Sequence, residues 1–300
     1  MKKTKKSVSK REKNTLLDYI NMILLSLLCI IVLYPFWNQI VISLTDSSVS
    51  SGLGMSLWPE KWSLEAYKYI FTYSDVGVAY FNTIVRTVLG TILTVTLTVL
   101  AAYPLSRKDL PFRGVFMTLF ITAMFISGGL IPTYLLIKNI GLLDTRWALI
   151  FPGALSIMYI IITRNFFNSI SSEIEESAMM DGASPFQILI KIILPLSKPI
   201  LVTVALWTAV GLWNEWFAAQ IYVQDRSLKV LQNLVRQMII DVDSSGMQTQ
   251  VSGEGARASE LLLANVRAAT VMVSIGPIIL IYPFAQKYFI KGLQLGAVKG

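Results

Sequence analysis

Six long apolar stretches, at about 19–44, 83–105, 115–137, 147–163, 199–223 and 268–286, set the terms for this chain. A helix crossing the hydrocarbon core of a bilayer needs about 20 mostly apolar residues, within a range of about 17–25. Each stretch meets or approaches that length. In lipid every backbone amide and carbonyl must find a partner within the protein, which restricts spanning segments to helices or a closed barrel. Runs that are continuously apolar rather than alternating point to helices. The expected fold class is therefore all-α integral membrane, with six transmembrane helices. Composition agrees: 54% of the 300 residues are hydrophobic and 15% are charged, against roughly a quarter charged in soluble domains. The fourth stretch is cut short by Arg164 and is expected to stand upright or to borrow flanking residues. The fifth carries Asn214 and Glu215 near its end.

Charge placement gives an orientation. Seven basic residues lie in the opening M-K-K-T-K-K-S-V-S-K-R-E-K, directly before the first stretch. That is the cytoplasmic flank of a membrane helix rather than a nucleic-acid patch, and no nucleic-acid partner is expected. The uncharged run from Tyr19 to Thr45 far exceeds the roughly 7–15 residues of a signal-peptide core. Ser48-Val49-Ser50 lies too far downstream to be its cleavage site, so the helix is expected to remain. With the N-terminus inside, segments 1–18, 106–114, 164–198 and 287–300 hold 16 of the 26 basic residues and only 7 of the 18 acids. The positive-inside bias then places both termini in the cytoplasm and the loops 46–82, 138–146 and 224–267 outside. S-S-G-M-Q-T-Q-V-S-G-E-G in the last loop reads as a flexible tip. No internal repeat is visible, which disfavours an inverted-repeat transporter.

Several chemistries are excluded. There is no histidine, the commonest general base and metal ligand. The single cysteine, Cys29, allows neither an internal disulfide nor a multi-cysteine metal site. No G-x-x-x-x-G-K-[ST] phosphate loop occurs, so the chain cannot hydrolyse ATP by that route. Within the apolar stretches the ionisable groups are Arg86, placed near a helix end where it can snorkel, and Glu215. Ion-coupled transport, which uses intramembrane charges, has thin support here.

The most structured hydrophilic segment is S-S-E-I-E-E-S-A-M-M-D-G-A-S-P-F-Q-I-L-I-K-I-I-L-P-L-S-K-P-I, residues 171–200. Ser172-Glu173-Ile174-Glu175 fits a capping box, and its acids complement the positive end of the helix dipole. Gly182 stands where a left-handed C-terminal residue is wanted. Ser184-Pro185-Phe186-Gln187 starts a second helix with cap, first-turn proline and second box. Phe186, Ile190 and Ile193 are expected on one face, with a stop near Pro195. Ser177 and Ala178 keep the first helix thin on one side, which suits it to a groove in another protein. An ordinary amphipathic hairpin at the membrane surface is the alternative.

Glu176-Ser177-Ala178, then Gly182, then Ile192-Ile193-Leu194-Pro195 resembles the E-A-A–x3–G–x9–I-x-L-P loop of permease subunits of binding-protein-dependent ABC importers. Ser177 replaces the family's alanine, small for small. The segments 128–153, R-N-F-F-N-S-I (164–170), W-N-E-W (213–216) and the tail 288–300 resemble the carbohydrate-uptake branch, maltose-transporter-like and particularly its oligosaccharide permeases. The resemblance implies a basic cytoplasmic tail (1–18), a first helix with an extracellular loop (19–80), a core transmembrane domain (81–290) with its coupling loop at 171–198, and a cytoplasmic tail (291–300). It implies that Glu176, Ser177, Ala178, Asp181, Gly182 and Ala183 form the ATPase-docking surface. It also implies a multi-pass place in the bacterial cytoplasmic membrane. The partners would be a second, homologous permease, ABC ATPase subunits, an extracellular sugar-binding protein and lipid, with a carbohydrate as substrate. No cofactor is expected in this chain, ATP and Mg being bound by the ATPase. A non-sugar ABC importer and an ion-coupled secondary transporter are the alternatives. Trp213, Asn214, Glu215 and Trp216 have two readings: anchors at the outer membrane interface, or an interrupted helix offering polar groups and aromatic faces to a sugar. Trp207, Tyr134 and Tyr159 are weaker candidates for the same path.

Overall fold

The computed structural model describes residues 16–46, 48, 57–73, 75–126, 128–248, 263–280 and 283. Both terminal tails, with the 288–300 resemblance, and the loop tip beyond Gln248 lie outside the described residues. Within them the fold is helical, with one isolated bridge between Thr45 and Trp62.

Helix α1 (Leu16–Ser43) is apolar on all sides and stands away from the rest: only Val41 and Ser43 are buried. Such a surface suits lipid or another chain, not water. Its end is tied to the helix α2 (Glu65–Tyr73) through Ser43 Oγ and Tyr67 OH, 2.9 Å apart, and the segments between them are joined by the Asp46–Lys61 ion pair at 2.8 Å. Lys61 and Ser48 hold the Asp46 carboxyl well below the usual carboxylate range.

The centre of the molecule is α3 (Val76–Ser106), 31 residues and so about 46 Å long at 1.5 Å per residue. It packs against α6 (Ile157–Asn168) and α10 (Lys198–Asn214). Gly90 permits the approach to α10, because a Cβ there would lie 2.5 Å from Leu212 Cδ1. One core forms around the C-terminal end of α3, from Val99, Tyr103, Leu105, Ile160, Phe167 and Ile193 among others. A second forms at its other end, around Ile70, Val76, Trp213, Leu231 and Ala269.

Several expected spans are broken. The stretch 115–137 becomes α4 (Arg113–Phe125) and α5 (Leu130–Asn139), bent by 110°, with Gly129 at φ +81° just before α5. The stretch 147–163 begins as a 3-10 turn (Arg146–Leu149) capped by Thr145, and its helix α6 starts only at Ile157, capped by Ser156. Arg164 lies within α6 rather than ending it, because its Nε donates to Leu105 O at 3.0 Å. The segment 171–198 contains α7 (Ser172–Met180), α8 (Pro185–Ile188), a wide π turn (Leu189–Ile193) and α9 (Leu194–Leu196), before α10 turns away by 79°. The stretch 199–223 is α10 followed by a break and α11 (Phe217–Tyr222). A further helix, α12 (Leu231–Gln248), lies in the loop 224–267, and it takes in the first part of the supposed flexible tip. The last span, α13 (Leu263–Leu280), begins earlier than its expected 268. Among the described residues three helices are long and apolar enough to cross a membrane, or five if each bent pair is one span; the six expected are not reproduced one for one.

Candidate functional site

The two ends of α7 are built differently from expectation. The helix starts one residue early, with Ser171 at the N-cap and no side-chain cap bond. Glu175 does not reach back to close a box. It turns inward, 9% exposed, and pairs with Arg107 at the C-terminal end of α3. The guanidinium offers the Glu175 carboxylate an opposite full charge, where the cap offers only a backbone N–H dipole. The C-terminus behaves as read. Gly182 has φ +81°, its N–H donates to Met179 O (3.0 Å), and Ala183 N–H donates to Ala178 O (2.9 Å). These are the two bonds of a Schellman motif, which only glycine enters without steric cost. Ser184 and Gln187 form the expected capping box, at 2.9 and 3.3 Å, with Pro185 in the first turn. The apolar face of this second helix splits: Ile193 is buried while Phe186 and Ile190 are exposed. The π turn between them changes the pitch ahead of Pro195, whose ring cannot sit in a regular helix interior.

The loop presents an outward surface of Glu176, Ser177, Asp181 and Gly182. Ala178 and Ala183 instead pack against this chain's own core beside α3. The small residue at 178 therefore lets α7 approach its own bundle, while Ser177 faces outward. Met179 and Met180 were passed over in the sequence. Met180 is 88% exposed, and two adjacent flexible thioethers are suited to an adaptable contact surface. Tyr103 and Arg107, which hold the loop from beneath, carried no local signal.

At the other candidate site, α10 ends at Asn214 and the chain breaks at Glu215 and Trp216. Arg86 does not snorkel: it is 4% exposed, a third of the way along α3, and closes on this break. Its Nε donates to Leu149 O (3.2 Å), its Nη1 to Glu215 O (2.8 Å), and its Nη2 to the Glu215 carboxylate. The other carboxylate oxygen of Glu215 accepts from Ala218 N–H at 2.7 Å and so caps α11. Asn233 Nδ2 donates to Trp216 O at 3.2 Å. Glu215 O, Ala218 N–H and Trp216 O at the break thus have side-chain partners, as a dry environment favours. Asn82 and Thr83, on α3 beside Arg86, receive the chain further on, at Ser227 O, Lys229 O and Leu231 N–H.

The aromatic candidates do not converge. Trp213 is buried, its Nε1 donating to Ser274 O (2.9 Å) and its ring edge-on to Tyr80. It is a packing residue in this chain. Trp216 lies beneath the Arg236 guanidinium, 3.6 Å from the ring centroid. Asn214 is exposed and donates to Val210 O of its own helix. Trp207 pairs with Tyr159, and Tyr134 stacks on Tyr222. The cavity beside Trp213 holds about 50 Å³, well short of the roughly 300 Å³ at which ligand pockets begin.

A helical membrane bundle carrying a pre-capped surface loop is the arrangement on which the comparisons bear. The family described as "Binding-protein-dependent transport system inner membrane component" matches residues 78–294. The chain belongs to this family. It is thus a permease component of an ABC importer, embedded in the membrane by several helices. The polygalacturonan/rhamnogalacturonan transport system permease protein YtcP of Bacillus subtilis (strain 168) is 40% identical to this permease over 96% of the chain and 100% of its own length. Protein LplC of the same organism is 37% identical, over 94% and 95% of the two chains. The melibiose/raffinose/stachyose import permease protein MelC, also from that organism, is 29% identical over 93% and 98%. Among solved structures, a chain of a bacterial ABC transporter involved in the import of the acidic polysaccharide alginate superposes with a TM-score of 0.81 at 31% identity, covering 93% of this permease and 99% of that chain.

Proposed function

We propose that this permease passes a carbohydrate, an oligosaccharide, into the cytoplasm in an ATP-driven importer. The observation that carries the reading is the end-to-end similarity to a permease named for polygalacturonan and rhamnogalacturonan transport. In this reading the chain pairs with a second, homologous permease to enclose the path, which fits the small cavity of about 50 Å³ beside Trp213. ABC ATPase subunits hold ATP and Mg and dock at the loop 171–198 through Glu176, Ser177, Met180 and Asp181, while Gly182 fixes the turn. An extracellular sugar-binding protein delivers the substrate, and both termini lie in the cytoplasm. The Arg86–Glu215 pair supports a structural break rather than an ion relay, because both side chains are engaged in holding backbone groups of the break. The test is uptake into proteoliposomes holding the reconstituted importer with its binding protein, across labelled oligogalacturonates, neutral oligosaccharides and amino acids. ATP-dependent accumulation of an oligosaccharide is expected. Accumulation confined to a non-sugar solute, or uptake that persists without ATP, refutes the proposal.

A further inference from the structure

Arg107 caps the C-terminus of α3, its N–H closing on Pro104 O at 3.0 Å. Its guanidinium does something the cap does not require. One arm pairs with the Glu175 carboxylate of α7, the other donates to Tyr103 OH, and the plane lies over the Tyr103 ring, 4.4 Å from the centroid. The same phenol donates to Pro185 O, the first residue of α8, at 3.0 Å. Phe167 of α6 supports the Tyr103 ring edge-on, at 6.4 Å. One guanidinium–phenol unit at the end of α3 therefore grips both helices that flank Gly182. The neighbouring arginines do not duplicate it: Arg113 and Arg164 each spend their Nε on Leu105 O, at 3.0 Å. Among the loop's acids Glu173, Glu176 and Asp181 are exposed, and Glu175 is the one turned inward.

We propose that Arg107 is a positioning residue for the docking loop: through Glu175 and Tyr103 it fixes the angle of α7 to α3, so that movement of the docked loop is delivered to the central membrane helix. The proposal rests on the reading of residues 171–198 as the ATPase-docking loop. The planar fork is essential to it, because one group must meet a carboxylate and a phenol oxygen together, and a lysine ammonium on a flexible stem does not hold both in register.

The test uses the full-length permease in a Cys29→Ser background, with spin labels at Met179→Cys on α7 and Val88→Cys on α3. Their distance distribution is insensitive to how much protein reaches the membrane, so a loss of yield alone does not move it. A single narrow distribution is expected with Arg107 present. Arg107→Ala, Glu175→Gln and Arg107→Lys should each broaden or shift it. Co-purification of the ATPase is followed in the same variants without labels, beside Met180→Lys. An unchanged distribution in Arg107→Ala overturns the proposal while leaving the docking reading intact. Retention of the ATPase at full stoichiometry by Met180→Lys overturns the docking reading, and this proposal with it.

Discussion

Replacing Gly182 isolates one term of the loop's stability. The residue sits at φ +81°, and a Cβ added there would meet no atom within 4 Å. The cost of a side chain is therefore conformational and not steric crowding. For an L-residue the left-handed region costs roughly 1–2 kcal/mol, and asparagine tolerates it better than alanine or valine. A nine-residue helix such as α7 is too short to persist alone, since isolated helices below about 12–15 residues are marginal in water. Its last turn thus depends on the two Schellman bonds at 3.0 and 2.9 Å. A loss of about 1–2 kcal/mol raises the open population of that turn by a factor of about 5–30. Hydrogen exchange by mass spectrometry, on peptides covering 178–190, should show Gly182→Ala accelerating the amides of residues 182 and 183 by about that factor. Gly182→Val should exceed it and Gly182→Asn should fall well below it, while exchange in α3 stays unchanged. Loss of ATPase from the purified complex should follow the same order. If alanine and valine leave exchange at 182 and 183 as in wild type, the left-handed turn does not hold α7, and the account of the loop is wrong.

Four other outcomes follow from the geometry. Trp213→Ala should cost about 3–5 kcal/mol of bundle stability as a buried aromatic truncation, lowering the melting temperature of the purified permease; a Trp216→Ala permease that melts as low would contradict the core placement of Trp213. Arg86→Met and Glu215→Met should each destabilise more than the double replacement, because breaking a buried pair leaves one charge uncompensated; additive losses in a melting cycle would show that the two do not act together. The Asp46–Lys61 pair should resist acid: with the folded pKa lowered by hydrogen bonds from Lys61 and Ser48, its stabilisation is complete above the unfolded value near 3.9 and is lost only as pH falls through the lower folded one. A carboxyl carbon-13 titration of Asp46 with an ordinary midpoint near 4 would refute that. Finally, in Cys29→Ser cells an impermeant maleimide should label Ser245→Cys and not Ser177→Cys, and the reverse pattern would invert the proposed orientation.

The sequence by itself determined what depends on a few neighbouring residues or on a long average. The continuous apolar runs of α1 and α3 specify membrane helices because the bilayer tests only length and apolarity. Gly182 and the Ser184–Pro185–Gln187 start were legible because a cap is settled within about four residues by side chain and backbone alone. The first capping box failed for the converse reason. Ser172 and Glu175 had the right spacing, but Arg107 offered Glu175 a charged partner that no local pattern reveals. The break within 115–137 was invisible to an apolar average, which does not register a change of direction carried by a few backbone groups, whereas Asn214 and Glu215 marked the one within 199–223. Arg86 and Glu215 looked like two isolated charges, one at a helix end and one in a polar gap, because 129 residues separate them. Tyr103 and Pro185 are 82 residues apart. Trp213 read as either an interface anchor or a face offered to a sugar until α13 supplied the carbonyl of Ser274 and α3 the ring of Tyr80. Only the tertiary structure decided these points, because a charge or an indole taken out of water is stabilised by whatever the packed helices bring beside it, and that partner is set by where the helices cross.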